Sequence, residues 1–176
     1  MYVWIGCKLP DSFEQEIRSL SLARNEELQL DTAAFALPQH ISLKISFETG
    51  KYEAVLEDLT AFLSAQHPFA VSIKNPSRSG NILWMSVAEN DTLRQLHNEL
   101  DILLKDRFCI PQHAFDREFL FHSTLFIDGN TEKLERMLDF LTPFPIAQEL
   151  TVDTFLLGLS ETGAAGSYRV VRQIKV

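Results

Sequence analysis

The chain is short of the residue types that mark several common functions. Its 176 residues include only two cysteines, Cys7 and Cys109. Thiols so few and so far apart in sequence make neither a disulfide framework nor a metal knuckle, so a reducing, cytoplasmic setting is the simpler expectation. Cations are scarce as well, with 16 Lys and Arg against 24 Asp and Glu and a formal net charge of −8. That balance argues against gripping a long nucleic acid by general electrostatics, while a small nucleotide or an RNA end remains a reasonable partner. No apolar run approaches a membrane span, and the stretch from Met1 to Lys8 lacks the basic lead-in of a signal peptide and reaches a lysine too soon. No two histidines stand at zinc-ligand spacing with a cysteine or carboxylate partner, so no metal or other cofactor is expected.

What the chain does contain is apolar mass and a repeated motif. Apolar side chains make up 45%, including thirteen phenylalanines, enough for one compact domain or two small lobes sharing a core. Such a chain is expected to fold alone and act as a monomer. The sequence Leu37-Pro38-Gln39-His40-Ile41-Ser42-Leu43 runs a loop into a strand-like segment, and Phe121-His122-Ser123-Thr124-Leu125 does so again. In each, a histidine is followed two positions later by a hydroxyl residue and then by leucine. On a strand, positions i and i+2 share a face, so His40 lies beside Ser42 and His122 beside Thr124.

A lone His-x-Ser or His-x-Thr is common by chance, but here the surroundings repeat too. The histidines are 122 − 40 = 82 residues apart, and the same offset pairs Ile45 with Ile127, Lys51 with Lys133, Leu56 with Leu138, Leu59 with Leu141 and Phe62 with Phe144. An internal duplication of this kind places equivalent residues about a pseudo-twofold axis, so the two histidines are expected to face each other. Trp84 echoes Trp4 at the slightly different offset of 84 − 4 = 80.

Periodicity fills in the rest. The reading is a first strand through Val3, Ile5 and Cys7 with one buried face, and a helix from Pro10 into the late twenties. A strand from His40 to Phe47, a helix over about 51–66, and strands near 69–74 and 82–88 joined by a loop at 75–81 come next. Then follow a helix over about 91–107, the His122 strand, a helix over about 131–142, and strands near 148–159 and 167–175 flanking a flexible 160–166 segment. This amounts to an α+β fold, bilobal and pseudo-twofold, of two duplicated β-α-β-α-β units around a central cleft. The repeats cover about 1–80 and 81–167, and residues 168–176 complete the sheet.

Further candidates are weaker. Lys44 lies two positions beyond Ser42 and is a candidate for neutralising a phosphate; Tyr168 and Arg172 on the last strand are candidates for stacking on a base or touching phosphate. His113 imitates the first motif through Ile110-Pro111-Gln112, but Phe115 stands where a hydroxyl is needed, so it is read as a loop residue. His67 and His97 are read as solvated surface residues, and Tyr2, Trp4 and Trp84 as ordinary lobe packing.

The two motifs, His40-Ile41-Ser42-Leu43 and His122-Ser123-Thr124-Leu125, resemble the signature of the two-histidine (2H) phosphoesterase superfamily, in particular its 2′-5′ RNA ligase-like and cyclic phosphodiesterase branches. The resemblance implies a bilobal fold with a cleft between pseudo-symmetric halves and metal-independent chemistry on 2′,3′-cyclic or 2′-5′ phosphodiester bonds. It implies His40 and His122 as catalytic residues and Ser42 and Thr124 as phosphate-binding hydroxyls. Independently of any family, in-line cleavage of a phosphodiester needs a base on the attacking oxygen and an acid on the leaving oxygen, and a histidine pair supplies both near neutral pH. The alternatives are a non-catalytic module that holds a nucleotide or RNA end, and RNA ligation, the same chemistry in reverse.

Overall fold

The computed structural model describes residues 1–176. Two antiparallel sheets carry the molecule, and an apolar core runs continuously through both halves. The first sheet has strand β1 (Tyr2–Lys8) at its centre, β2 (His40–Ser42) and the two-residue β3 (Phe47–Glu48) along one side of it, and β8 (Thr154–Ser160) and β9 (Arg169–Lys175) on the other. The second has the order β6-β5-β4-β7, built from β4 (Phe69–Ser79), β5 (Ile82–Val87), β6 (His122–Ile127) and β7 (Gln148–Val152). Helices α1 (Asp11–Leu28), α2 (Tyr52–Ser64), α3 (Asp91–Phe108) and α4 (Thr131–Leu141) lie between the strands in sequence. The α+β class expected from the periodicity is therefore the one observed, with its strands gathered into two sheets.

The sheets do not follow the repeat boundary. Strand β4 ends the first repeat yet pairs with β5 of the second, while β8 leaves the second repeat to pair with β1 of the first. Each half is closed by a strand from the other, which ties the two together through one core.

Each helix buries a stripe at helical spacing: Phe13, Ile17 and Leu28 on α1, Val55, Leu56, Leu59 and Leu63 on α2, Leu93, Leu96, Leu100 and Leu104 on α3. The ends are set locally. Asn90 and Asn130 accept hydrogen bonds from Leu93 N and Lys133 N and so cap α3 and α4, and Cys109 closes α3 in the left-handed conformation. No helix is long and apolar enough to cross a membrane.

Three boundaries differ from the sequence reading, each for a visible reason. The His40 strand stops at Ser42, because the Leu43 carbonyl faces the His97 ring and the Ile45 amide donates to Asp116. Side chains take backbone groups that a continuing ladder would need. Strand β4 runs straight through Asn75 and Pro76, which reads as loop in sequence; the register shifts between Ile73 and Pro76, and a bulge is where a strand accepts proline. The apolar run over 148–159 is two strands, since the chain leaves one sheet at Val152 and enters the other at Thr154. Strand β1 is also buried on both faces, with Trp4 5% exposed.

Candidate active site

The two motifs occupy the edge strands that meet where the sheets approach. Strand β2 is the outer strand of the first sheet beside β1, β6 is the outer strand of the second, and the two are in contact. A buried hydrogen bond stitches them, Ser123 Oγ donating to Gln39 Oε1 at 2.8 Å. The residue before His40 is thereby fixed to the residue after His122. Both rings are half-buried at this junction.

Each ring is oriented in the same way. His40 Nδ1 lies 2.6 Å from the Pro38 carbonyl oxygen and His122 Nδ1 lies 2.7 Å from that of Leu120. A carbonyl can only accept, so each neutral imidazole carries its proton on Nδ1 and keeps Nε2, which has no protein partner, for proton exchange. Burial pushes the His40 pKa down to about 4; the Pro38 carbonyl opposes this and the charge of His122 adds to it. Burial also lowers the pKa of His122, against the pull of the Leu120 carbonyl. The two rings thus sense each other's charge, and double protonation is disfavoured.

Tryptophans brace both histidines. Trp4 meets His40 edge-on at 4.3 Å between ring centroids, and Trp84 lies at 4.3 Å from His122. Trp4 Nε1 donates to Ser42 Oγ at 3.0 Å, which occupies a lone pair of that hydroxyl and leaves its O–H to donate elsewhere. Trp84 stands directly across from Thr124 on the neighbouring strand and donates instead to Ser77 Oγ at 2.9 Å. Simple lobe packing was the expectation for these indoles. Their sequence signal is the 80-residue echo.

Trp4 reaches His40 by lying over two glycines. A Cβ on Gly6 would come within 2.5 Å of Trp4 Cζ2, and one on Gly158 within 2.7 Å of Cε3. Both positions must lack a side chain for the indole to rest there.

Other expected contacts are not at the site. Lys44 is 2% exposed and bound to two carboxylates, Asp101 and Asp116, the latter at 2.5 Å. Its charge is already compensated inside the protein, so the expectation that it neutralises a phosphate is corrected. Arg172 turns to the helix side of its sheet, where Nη1 donates to Thr60 Oγ1 at 2.7 Å and to the Leu56 carbonyl. Tyr168 is half-buried, with a hydroxyl that is enclosed and has no hydrogen-bond partner. His97, expected at the surface, is 1% exposed; its ring nitrogens lie 2.7 Å from the Leu43 carbonyl and 2.9 Å from the Asp116 carbonyl. His67 is exposed, and His113 caps the short 3₁₀ turn at Ala114–Asp116 in the loop.

Lys44, His97, Asp101 and Asp116 form one buried network. Burial alone would raise the Asp116 pKa, but the Lys44 ammonium and the amides of Ile45 and His113 outweigh it and hold the carboxyl below its ordinary range. Gln112 donates to Asp101 at 2.8 Å. The network joins the segment just after the first motif to the loop just before the second. No group of three His, Cys, Asp or Glu side chains is arranged to hold a metal ion.

A cleft of about 630 Å³ opens beside His122 and Trp84. Ile45, Ser79 and Ile82 form part of its wall, and the rest comes from the loop between Ala114 and Leu120.

Known structures share this fold. The chain superimposes on TT0787 of Thermus thermophilus with a TM-score of 0.70 at 16% identity, covering 99% of this chain and 97% of that one. It superimposes on LigT of E. coli, whose structures include complexes with 3′-AMP and NADP+, with a TM-score of 0.63 at 18% identity for the apo form, covering 99% and 96%. Usb1 of Kluyveromyces marxianus gives 0.52 at 10% identity, covering 99% and 98%. No curated protein sequence matches the chain. A family model described as the 2′-5′ RNA ligase superfamily matches residues 9–163, and the chain therefore belongs to that superfamily, the 2H phosphoesterases.

Proposed function

We propose that the protein is a metal-independent phosphodiesterase that acts on 2′,3′-cyclic phosphate or 2′-5′ phosphodiester bonds of a nucleotide or RNA end. The observation that carries this reading is the matched pair of rings: two histidines on adjoining edge strands, each with Nδ1 held by the carbonyl two residues earlier and Nε2 without a protein partner. A phosphorus atom between them has an acid on one side and a base on the other, as in-line displacement requires. A 2′,3′-cyclic phosphate would open by attack of water oxygen on phosphorus. One ring takes the water proton, the phosphorus bond to one ribose oxygen breaks, and the other ring protonates that oxygen. Ser42 and Thr124 share faces with the two rings and are suited to donate to the non-bridging oxygens as their charge shifts. A net charge of −8 fits a small substrate better than a long polyanion. That LigT has been crystallised with 3′-AMP and Usb1 with uridine monophosphate is in keeping with a nucleotide substrate.

The test is turnover of 2′,3′-cyclic nucleotides and 2′-5′ linked dinucleotides by chromatography, with and without EDTA. Activity is expected to survive chelation. His40→Ala or His122→Ala should each lower the rate about 10²–10⁴-fold, the usual worth of a positioned acid or base, with the circular dichroism spectrum unchanged. Wild-type rates in both variants on every diester tested would overturn the reading.

A further inference from the structure

His97 is the one histidine whose two ring nitrogens both face backbone carbonyls, Nδ1 at 2.7 Å from the Leu43 oxygen and Nε2 at 2.9 Å from the Asp116 oxygen. A carbonyl oxygen only accepts, and a neutral imidazole has a single N–H. A neutral ring would therefore set one bare nitrogen lone pair against an oxygen. At 1% exposure the ring has little access to water that could relieve such a contact, and a buried acceptor left without its donor is costly.

The surroundings fit a second proton. The ring stacks on Phe119 at 4.8 Å between centroids and 21° between planes, and meets Phe121 at 6.1 Å and 86°; a positive ring gains from aromatic neighbours. Asp101 Oδ2, one turn further along α3, lies 3.6 Å from Nε2. Lys44, from the segment after β2, binds both Asp101 and Asp116, and His113 meets Asp116 through its amide. Arg94 lies over the Phe121 ring and is paired with Glu89. Within the buried cluster, Lys44 and a doubly protonated His97 balance Asp101 and Asp116. A neutral His97 would leave one buried negative charge over.

We propose that His97 is held as an imidazolium and acts as a positioning residue for the histidine pair, one charged ring fastening the end of the first motif to the loop that enters the second. Leu43 closes the first motif, while Asp116, Phe119 and Phe121 belong to the stretch that ends at His122. Leu120, whose carbonyl sets the His122 tautomer, sits between the two phenylalanines packed on His97. Loss of one proton breaks the bond to Leu43 or to Asp116 and makes that contact repulsive. The fastening is thus present while the ring is charged and is lost as pH rises. Only its effect on rate rests on the phosphodiesterase reading.

Nitrogen–proton correlation spectra of the full protein labelled with ¹⁵N-histidine test the charge directly. At pH 7 both ring nitrogens of His97, assigned by contacts to the Phe119 and Phe121 ring protons, should carry a proton, whereas His40 and His122 should each show one protonated and one bare nitrogen. A bare nitrogen on His97 at pH 7 would overturn the proposal, and this reading needs no variant to fold. His97→Asn places an amide nitrogen near the Nδ1 position, keeping the Leu43 bond and dropping both the charge and the bond to Asp116. Its kcat on adenosine 2′,3′-cyclic phosphate should fall by about 10- to 100-fold with KM little changed, the scale expected of misplaced catalytic groups. The ratio of wild-type to variant kcat should then close as pH rises through the point where the wild-type ring loses its second proton. A folded variant with wild-type kcat, or a ratio that stays flat through that point, would overturn the positioning role. A doubly protonated His97 in a protein that turns over no diester would count against the phosphodiesterase reading and leave the imidazolium in place.

Discussion

Replacing Lys44 with methionine separates two readings of that residue by more than any assay error. Methionine keeps most of the side-chain volume and removes the ammonium, so Asp101 and Asp116, with side chains 10% and 0% exposed, lose their shared cation. Breaking a buried ion pair from one side costs about 3–5 kcal/mol, because the remaining charge is left without compensation. At about 2–4 °C per kcal/mol for a chain of this size, the melting midpoint should fall by roughly 6–20 °C. The pH dependence carries a further signature. In the wild type the Asp116 pKa is lowered, so its contribution is present above the ordinary carboxylate range and fades as pH falls through the depressed value. Without the ammonium, burial pushes that carboxyl upward, so the deficit of Lys44→Met should narrow as pH drops from 7 toward 4. Adding Asp116→Asn to Lys44→Met should recover part of the loss, and a double-mutant cycle in urea measures the coupling. Calorimetric melts across that pH range are the assay. A variant that loses less than about 1 kcal/mol while its KM for substrate climbs steeply would refute the buried-network account and restore Lys44 as a phosphate contact.

Two further outcomes follow from the geometry around His40. Gly6→Ala puts a Cβ 2.5 Å from Trp4 Cζ2 and must displace the indole, so a stability loss of about 1–3 kcal/mol and a fall in turnover are expected; Gly50→Ala, with nothing within 4 Å, is the control. An unchanged rate in Gly6→Ala would count against the bracing role of Trp4. The depressed His40 pKa means that the neutral ring is favoured by folding, so stability should be lost as pH falls from about 6.5 toward about 4. The interval of 6.5 − 4 = 2.5 units bounds the loss from His40 at about 3 kcal/mol, reduced in practice by solvent at a half-buried ring. Urea titrations of wild type and His40→Gln should diverge over that interval, and a His40 proton resonance titrating near 6.5 would exclude the shift.

Most of the architecture was legible because it is written in periodicity. The four long helices fall within a few residues of where their apolar stripes place them, and the motif strands begin at the histidines themselves. What was not legible depends on partners far away in sequence. Nothing local to Leu43 announces that His97 will face its carbonyl, and nothing in an apolar run over 148–159 announces a change of sheet at Asp153. Lys44 illustrates the same limit. Strand alternation put it in phase with Ser42, but the ladder ends between them, and two carboxylates from α3 and a distant loop decide where its charge goes.

The mismatch between the two repeat offsets turns out to have structural content. The histidine motifs repeat at 82 residues and the tryptophans at 80, a difference of two, which on a strand is one step along the same face. Register accounts for it: Ser42 pairs with Gly6, two residues beyond Trp4, whereas Thr124 pairs with Trp84 itself. In the second half the indole rises from the position opposite its hydroxyl; in the first it starts one step away and lies back across a glycine to reach the histidine. Similar ring distances, 4.3 Å in each case, are thus reached from unlike backbone positions. The two halves therefore each hold an indole against the imidazole while delivering it from a different backbone position.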